Sequence, residues 1–412
     1  MLHALTVRGF KSLINTDRVE FAPLTVLFGP NAAGKSNILD AVQVLSRLAS
    51  ERTVADALTT PVRGLPLETF SFPPSGLPGL LKSDSASFAI EADLKNEDAA
   101  FRYRAQVSVR PASGALSVTD ELLATLSRTG DLRGAPAIEL ADGQIRVRSR
   151  SRPGRPRQER VGQNYTQLSD RRLSGTEYRV VERARQEMSS WRTYYLDPRV
   201  AMREPQVPQE VTDIGTLGEH IASYLYRLRD EKPKGFAAVR RTLRTLVPSI
   251  EDLSVELDTK MGVLDVDIHQ DGTPFSSRVV SEGTLRVLAI ACVATNPWES
   301  ALVAFEEPEN GVHPRRIELV ARILVSLATQ PNRQVIVTTH SPLFCGSVIR
   351  LSKDHPTEIR LYQVSREGNA TSIRLFESAG PLFEDEAIMQ GLTSPTEDGV
   401  FEGLARRGML DA

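Results

Sequence analysis

Cysteine is nearly absent from this chain: Cys292 and Cys345 are the only two among 412 residues. Two thiols in apolar or strand-end settings exclude a disulfide framework and read as core thiols of a reducing compartment. Long apolar runs are missing as well. No stretch approaches the roughly 18 consecutive apolar residues of a membrane span. Met1-Leu2-His3-Ala4-Leu5 has neither the basic start nor the apolar core of a signal peptide. The expectation is a soluble, cytoplasmic chain with no membrane partner. Neither sign of charge dominates: 50 Lys and Arg against 52 Asp and Glu leave a net charge of −2. Any nucleic-acid contact must therefore come from a local patch. No internal repeat and no sustained heptad is visible, which excludes a coiled-coil arm. The length allows about two or three domains with a sizeable core.

What the chain does have is Gly29-Pro30-Asn31-Ala32-Ala33-Gly34-Lys35-Ser36, followed by Asn37, between the apolar run Leu24–Phe28 and an amphipathic segment. Strand, glycine loop and helix in that order make a P-loop. Gly29 and Gly34 let backbone N–H groups turn inward around a phosphate chain, and the following helix adds partial positive charge. Lys35 is placed to reach the β- and γ-phosphates of ATP. Ser36 is placed to ligate Mg²⁺, which takes the rest of its shell from water and phosphate oxygens. Ile38, Ala41, Val42, Leu45 and Leu48 share one face at helical spacing.

Three short strand-like runs, Leu2–Val7, Arg18–Phe21 and Leu24–Phe28, open the chain. Residues 61–79 are rich in Pro and Gly and read as irregular surface chain. Phe88, Ile90, Ala92 and Leu94 then alternate with polar residues, as do Phe101, Tyr103, Ala105, Val107 and Val109, which predicts antiparallel strands with one solvated face. Residues 144–160 carry seven arginines and one glutamate, with Pro153, Gly154 and Pro156 among them. That density of like charge predicts a mobile surface loop, and Arg146–Arg160 form a local basic patch for a nucleic-acid backbone or a partner protein. Helical pattern returns with Leu217, Ile221, Tyr224, Leu225 and Leu228 and again over Phe236–Val247. Leu264, Val266 and Ile268 alternate as a strand.

A second chemical cluster starts at Val280-Ser281-Glu282-Gly283-Thr284, ahead of a helix whose Leu285, Leu288, Ala289, Cys292 and Val293 face inward. Ser281 and Gly283 can serve as an ordinary helix start or offer hydroxyl and N–H groups to an anion. Next, the apolar run Ala301–Phe305 ends in Glu306 and Glu307. A buried strand delivering acids at its C-terminal end is where an open α/β sheet puts nucleotide chemistry. One carboxylate can hold Mg²⁺ and the other can orient or deprotonate the attacking water; the alternative is two solvated acids leaving a strand. Gln334–Thr339 repeats the pattern and ends at His340-Ser341-Pro342. His340 can contact the γ-phosphate or the attacking water, or be structural. His313, between Val312 and Pro314, reads as structural.

Together, the P-loop, Ser281-Glu282-Gly283-Thr284, Phe305–Pro314 and Thr339-His340-Ser341-Pro342 resemble the Walker A, signature, Walker B with D-loop, and H-loop motifs of the ABC ATPases. The likeness is to the RecF/SMC branch and to the ATPase half of the overcoming-lysogenization-defect (OLD) nucleases. It covers roughly residues 1–50 and 255–375. The resemblance implies an ATPase using ATP and Mg²⁺. Lys35 and Ser36 would bind phosphate and metal, Glu306 would stand at the Walker B acid, Glu307 at the catalytic base and His340 at the switch histidine. Ser281 and Gly283 would touch the nucleotide of a partner subunit, giving a homodimer or higher homo-oligomer.

The Walker B acid is Glu306 here, where most ABC proteins have aspartate; the OLD-like branch looks similar to this sequence at that position. No glutamine-loop residue can be placed. Nothing resembling a Toprim nuclease follows His340, and Glu384-Asp385-Glu386 read as a solvated face. More than 240 residues separate Ser36 from Ser281, far more than the helical lobe of a transport ATPase resembles. The fold expected is α/β: an ABC-type core over residues 1–145 and 255–412, with an antiparallel N-terminal lobe and an inserted basic loop and helical lobe over 146–254. The expected function is an ATP-hydrolysing switch in DNA-linked processes or anti-phage defence, with a separately encoded effector, a nuclease or toxin. The alternative is a nucleotide-stabilised scaffold that sequesters an effector with little turnover.

Overall fold

The computed structural model describes residues 1–59, 61–95, 99–151, 154–298 and 300–376. Glu384, Asp385 and Glu386 therefore lie outside the described residues, as do Arg152 and Pro153. Among the described residues, no helix is long and apolar enough to cross a membrane. The chain divides into two compact units. The first holds Met1–Ala22, Gly29–Trp191 and Tyr362–Leu375; the second holds Pro23–Phe28 and Arg192–Leu361, with Phe376.

The first unit is built on an antiparallel sheet. In spatial order its strands are Arg157–Arg160, Gln144–Val147, Ile138–Ala141, Ala115–Thr125, Ala100–Arg110, Ala86–Lys95, Leu2–Phe10 and Leu13–Asn15, with Val19–Glu20 also paired to Leu2–Phe10. The two long alternating segments form as expected: Phe88, Ile90, Ala92 and Leu94 are buried, as are Phe101, Tyr103, Ala105, Val107 and Val109. Period-two alternation leaves one face for the core and one for water. The helix Lys35–Ser50 buries Ile38, Ala41, Val42, Leu45 and Leu48 and packs on the helix Arg179–Ser189. The short strand Leu13–Asn15 makes the run before the loop the fourth strand, not the third. Residues 61–79 are not wholly irregular: Pro66–Thr69 is a 3₁₀ turn, and a helix runs from Gly76 to Leu81.

The two ends of the arginine-rich segment depart from the expected loop. Gln144–Val147 and Arg157–Arg160 pair antiparallel as a hairpin at the sheet's edge. Three of the arginines are paired with acids: Arg146 with Asp142, Arg148 with Glu139 at 2.5 Å, and Arg157 with Glu159 and, at 3.8 Å, Asp170. Residues 146–254, expected as one inserted lobe, are shared between the units, with 146–191 in the first and 192–254 in the second.

The second unit is built on parallel strands. Arg192–Tyr194, Leu302–Glu306, Gln334–Thr339 and Leu24–Phe28 lie side by side in that order. Leu24–Phe28 and Gln334–Thr339 are buried along their whole lengths, as parallel strands covered on both faces are. The helices Glu282–Ala294, Pro314–Ala328 and Pro342–Ser352 supply the rest of this core, together with Ile221–Glu231, Pro233–Leu246 and a three-stranded antiparallel sheet over 250–276. The first of the two middle helices starts at Ile221, not at Leu217. Cys292 and Cys345 are buried free thiols.

Register is what matters for function. Phe28 pairs with Thr339, and Thr338 pairs with Glu306. The C-terminal ends of the three central parallel strands thus lie along one edge, where open α/β sheets carry their ligands. Gly29 leaves from that edge directly after Phe28, and His340 directly after Thr339.

Candidate active site

In the first unit the loop is shaped by residues without side chains. Gly34 caps the helix Lys35–Ser50 with φ 100°, a left-handed conformation that L side chains rarely adopt. A Cβ there would run into Thr371 Oγ1 and Ser12 Oγ, and one on Gly29 would run into the carbonyl oxygen of Val364. Thr371 fastens the loop: its hydroxyl donates to the Ala33 carbonyl at 3.0 Å and shares a hydrogen bond with Ser12 at 2.6 Å. Pro30, Asn31 and Ala32 are exposed while Ala33 and Lys35 are buried. Lys35 Nζ donates to the carbonyls of Gly29 and Pro30, both at 2.8 Å, so the ammonium lies within the turn. Asn37 does not face the loop's interior; its amide donates to Ser12 Oγ at 2.6 Å and ties the helix start to the strand region. Ser36 is half-buried in the first helical turn.

In the second unit the acid strand delivers Glu306 at its last position and Glu307 just beyond. Glu307 has φ 46°, left-handed backbone at a residue with a long side chain. Such a conformation costs of order 1–3 kcal/mol and persists only where its surroundings fix it. They do so here: the Glu307 N–H donates to Thr338 O at 2.9 Å, and the Glu307 carbonyl accepts from Asn310 N at 3.1 Å. Both side-chain oxygens are held too. His340 Nδ1 lies 2.7 Å from Oε1, and Asn310 Nδ2 donates to Oε2 at 2.5 Å. Glu307 and His340, singled out separately in the sequence, are thus brought together by register.

Behind them sits Glu309, 4% exposed. Its Oε1 accepts from the Thr339 hydroxyl, while Oε2 has no hydrogen-bond partner. Burial pushes its carboxyl up to about 7, against the Thr339 bond. Arg286, one turn into the helix Glu282–Ala294, feels Glu309, Glu282 and Glu307. At that helix's start, Ser281 Oγ accepts from Thr284 N at 3.1 Å, and Ser281 is exposed. Gly283 is buried against the Gly311 carbonyl, where a Cβ would collide, so this glycine lets the helix start approach the turn after Glu307. His313 caps the helix Pro314–Ala328 by accepting from Arg315 N at 3.3 Å. Sequence reasoning assigned no role to Asn310, Glu309 or Arg286. The signal for the first two was present in Pro308-Glu309-Asn310, polar residues packed into the turn directly after the acids.

A family model described as "AAA domain, putative AbiEii toxin, Type IV TA system" matches residues 24–346. The chain belongs to this family. That match begins at the strand leading into the phosphate loop and reaches past His340. Two DNA replication and repair proteins RecF also match: one from Acaryochloris marina (strain MBIC 11017), 48% identical over 56 residues, and one from Thermosynechococcus vestitus (strain NIES-2133 / IAM M-273 / BP-1), 31% identical over 133 residues. These matches cover 13% and 32% of this chain, and 14% and 28% of the relatives' own lengths. Among solved structures, an SMC head bound to the C-terminal winged-helix domain of ScpA superimposes with a TM-score of 0.54 at 16% identity, over 91% of this chain and 98% of that one. The family match, the partial likeness to RecF and the SMC-head superposition fit the α/β, ABC-type P-loop fold of the RecF/SMC branch.

Proposed function

We propose that this AAA-domain protein is an ATP-binding and ATP-hydrolysing switch that works on DNA. The observation that carries the reading is Glu307, held in left-handed backbone with both carboxylate oxygens engaged, at the strand edge from which the phosphate loop also leaves. A half-buried, pre-oriented carboxylate is what a general base needs. In the reaction a water oxygen attacks the γ-phosphorus, the bond from that phosphorus to the bridging oxygen breaks towards ADP, and Glu307 takes the water's proton. His340 and Asn310 fix the carboxylate's orientation, and His340 then lies beside the transferring phosphoryl group.

Lys35 and backbone N–H groups of the loop between Asn31 and Ser36 would hold the phosphates. Ser36 and Glu306 supply hard oxygen donors only, the set that suits Mg²⁺. When bound, that ion neutralises charge on the phosphate oxygens. Ser281 and Gly283 would contact the nucleotide of a second copy, so ATP closes a two-fold dimer with two equivalent sites. The RecF likeness supports DNA as the object of the switch, and a separately encoded effector would read its state in anti-phage defence.

Phosphate release from ATP with Mg²⁺, measured for the parent and for Lys35→Ala, tests the reading. Turnover in the parent and none in Lys35→Ala is expected. A parent that neither binds nor hydrolyses ATP would remove it.

A further inference from the structure

Apart from the loop and the acids, the first unit has a cavity of about 1240 Å³ at one end of its sheet, between the end of the strand Ala86–Lys95 and the turn after Ala115–Thr125. Among the described residues, its lining holds five cations, Arg18, Lys95, Arg102, Arg128 and Arg133, against the two carboxylates Glu20 and Asp93. A net +3 in one concavity of a chain whose total is −2 is a concentrated field, and concave walls focus it.

The wall is organised. Asp93, 2% exposed, takes Arg102 through paired bonds of 2.7 and 2.9 Å and Arg18 at 2.6 Å. One buried carboxylate therefore orients two guanidinium groups, with Glu91 3.5 Å from Arg102. The turn opposite is equally fixed. Ser127 N donates to Asp131 O at 2.8 Å, Gly130 N donates to Ser127 O at 3.2 Å, and Thr129 Oγ1 bonds Asp131 at 2.7 Å. Arg128 stands exposed within this turn, and Arg133 is held beside it by its N–H on Thr125 O at 2.8 Å. His3 adds no charge at neutral pH, because burial holds it below its usual range.

The chemistry selects an occupant. Arginine forks and a lysine match phosphate oxygens. No aromatic side chain other than the imidazole of His3 is among the lining residues, so the surface lacks the row of aromatic platforms on which single strands stack their bases. The volume exceeds the roughly 300–1,000 Å³ of small-molecule pockets. We infer that this groove grips the phosphodiester backbone of duplex DNA without reading its sequence. The inference rests on the DNA-linked reading above and places the contact at the exposed Lys95, Arg128 and Arg133 of this groove, not at Arg146, Arg148 and Arg157 of the hairpin, which pair with acids.

The test is a salt titration of binding to a duplex of about 24 base pairs and arbitrary sequence, using the full chain. Lys95→Ser, Arg128→Ser and Arg133→Ser combined leave the Asp93 cluster intact. This variant is expected to lose at least about tenfold in affinity, and its log–log salt slope should shrink by roughly 0.9 per contact removed. ATP turnover without DNA should stay at the parent value. Arg128→Lys with Arg133→Lys should bind like the parent, which separates lost charge from lost fold. If the parent binds duplex and the triple variant binds equally well, the groove is overturned while the DNA-linked reading stands. The groove is overturned in the same way if only Arg148→Ser with Arg157→Ser weakens binding. If the parent binds no duplex at any salt, the DNA-linked reading itself fails, and if it binds only single strands, the duplex assignment fails.

Discussion

In the phosphate loop the decisive positions are the ones that carry no side chain, whereas in the acid corner the decisive position carries a long one under strain. Gly29 and Gly34 allow the backbone to come against Val364 and Thr371. Glu307 has no such freedom; it is forced to φ 46° and held there by Thr338, Asn310 and His340. The first design excludes atoms, so its failure should be steric and complete. The second adds bonds to a costly conformation, so its failure should be graded, one bond at a time.

The largest effect is therefore expected in the loop. Gly29→Ala should abolish ATP binding in a fluorescent-nucleotide titration and lower stability in a denaturant melt by about 1–3 kcal/mol, since its Cβ meets a backbone carbonyl that cannot turn aside. Parent-like affinity would show that the close approach to Val364 does not shape the loop. In the acid corner, His340→Ala should reduce turnover by about ten- to a thousandfold with ATP affinity little changed. Asn310→Ala should reduce it by about tenfold. If either variant instead loses ATP binding and fold together, the residue is structural and the graded picture is wrong.

Each unit also buries a carboxylic acid of raised affinity for its proton, and these two sharpen the contrast at smaller cost. Glu121, in the first unit, accepts from the backbone N–H groups of Gln167 and Leu168 at 2.6 and 2.9 Å and from the Tyr103 hydroxyl at 3.1 Å. Glu309 accepts from the Thr339 hydroxyl on one oxygen and leaves the other without a partner. Burial pushes both from 4.5 up to about 7. The folded state keeps these protons longer than the unfolded chain does, so stability is fullest below pH 4.5 and is lost as pH rises through about 7. The loss is at most about 3 kcal/mol for each group. Glu309→Gln keeps a neutral side chain and should flatten part of that decline in melts between pH 5 and about 8. Glu121→Gln sets an amide N–H₂ against one of its backbone donors and should cost about 1–3 kcal/mol even at pH 6. Equal effects of the two would mean that the number of donors does not distinguish the sites.

The loop was the most legible feature because its determinants are backbone determinants, and glycine spacing between a strand and a helix announces them directly. The parallel strands were legible for a similar reason, since burial on both faces leaves mostly apolar runs such as Leu24–Phe28. Two things were hidden. Arg146, Arg148 and Arg157 read as repelling charge because their acids, Asp142, Glu139 and Asp170, enter from other turns of the chain, so the hairpin was invisible to composition. The contact between His340 and Glu307 depends on strand register across 33 residues, which periodicity does not specify. Asn310 and Glu309 stood in plain view, but a turn's hydrogen bonds cannot be assigned until its backbone is known.

Glu307→Gln tests the central claim most directly, with ATP affinity and phosphate release measured on the same preparation. The substitution keeps size and can still accept from one neighbour, but it cannot take a proton from water. The expected result is ATP affinity within a few-fold of the parent with turnover lower by at least about a hundredfold. Phosphate release at the parent rate would contradict the account, because the strained and doubly bonded carboxylate would then not be the base.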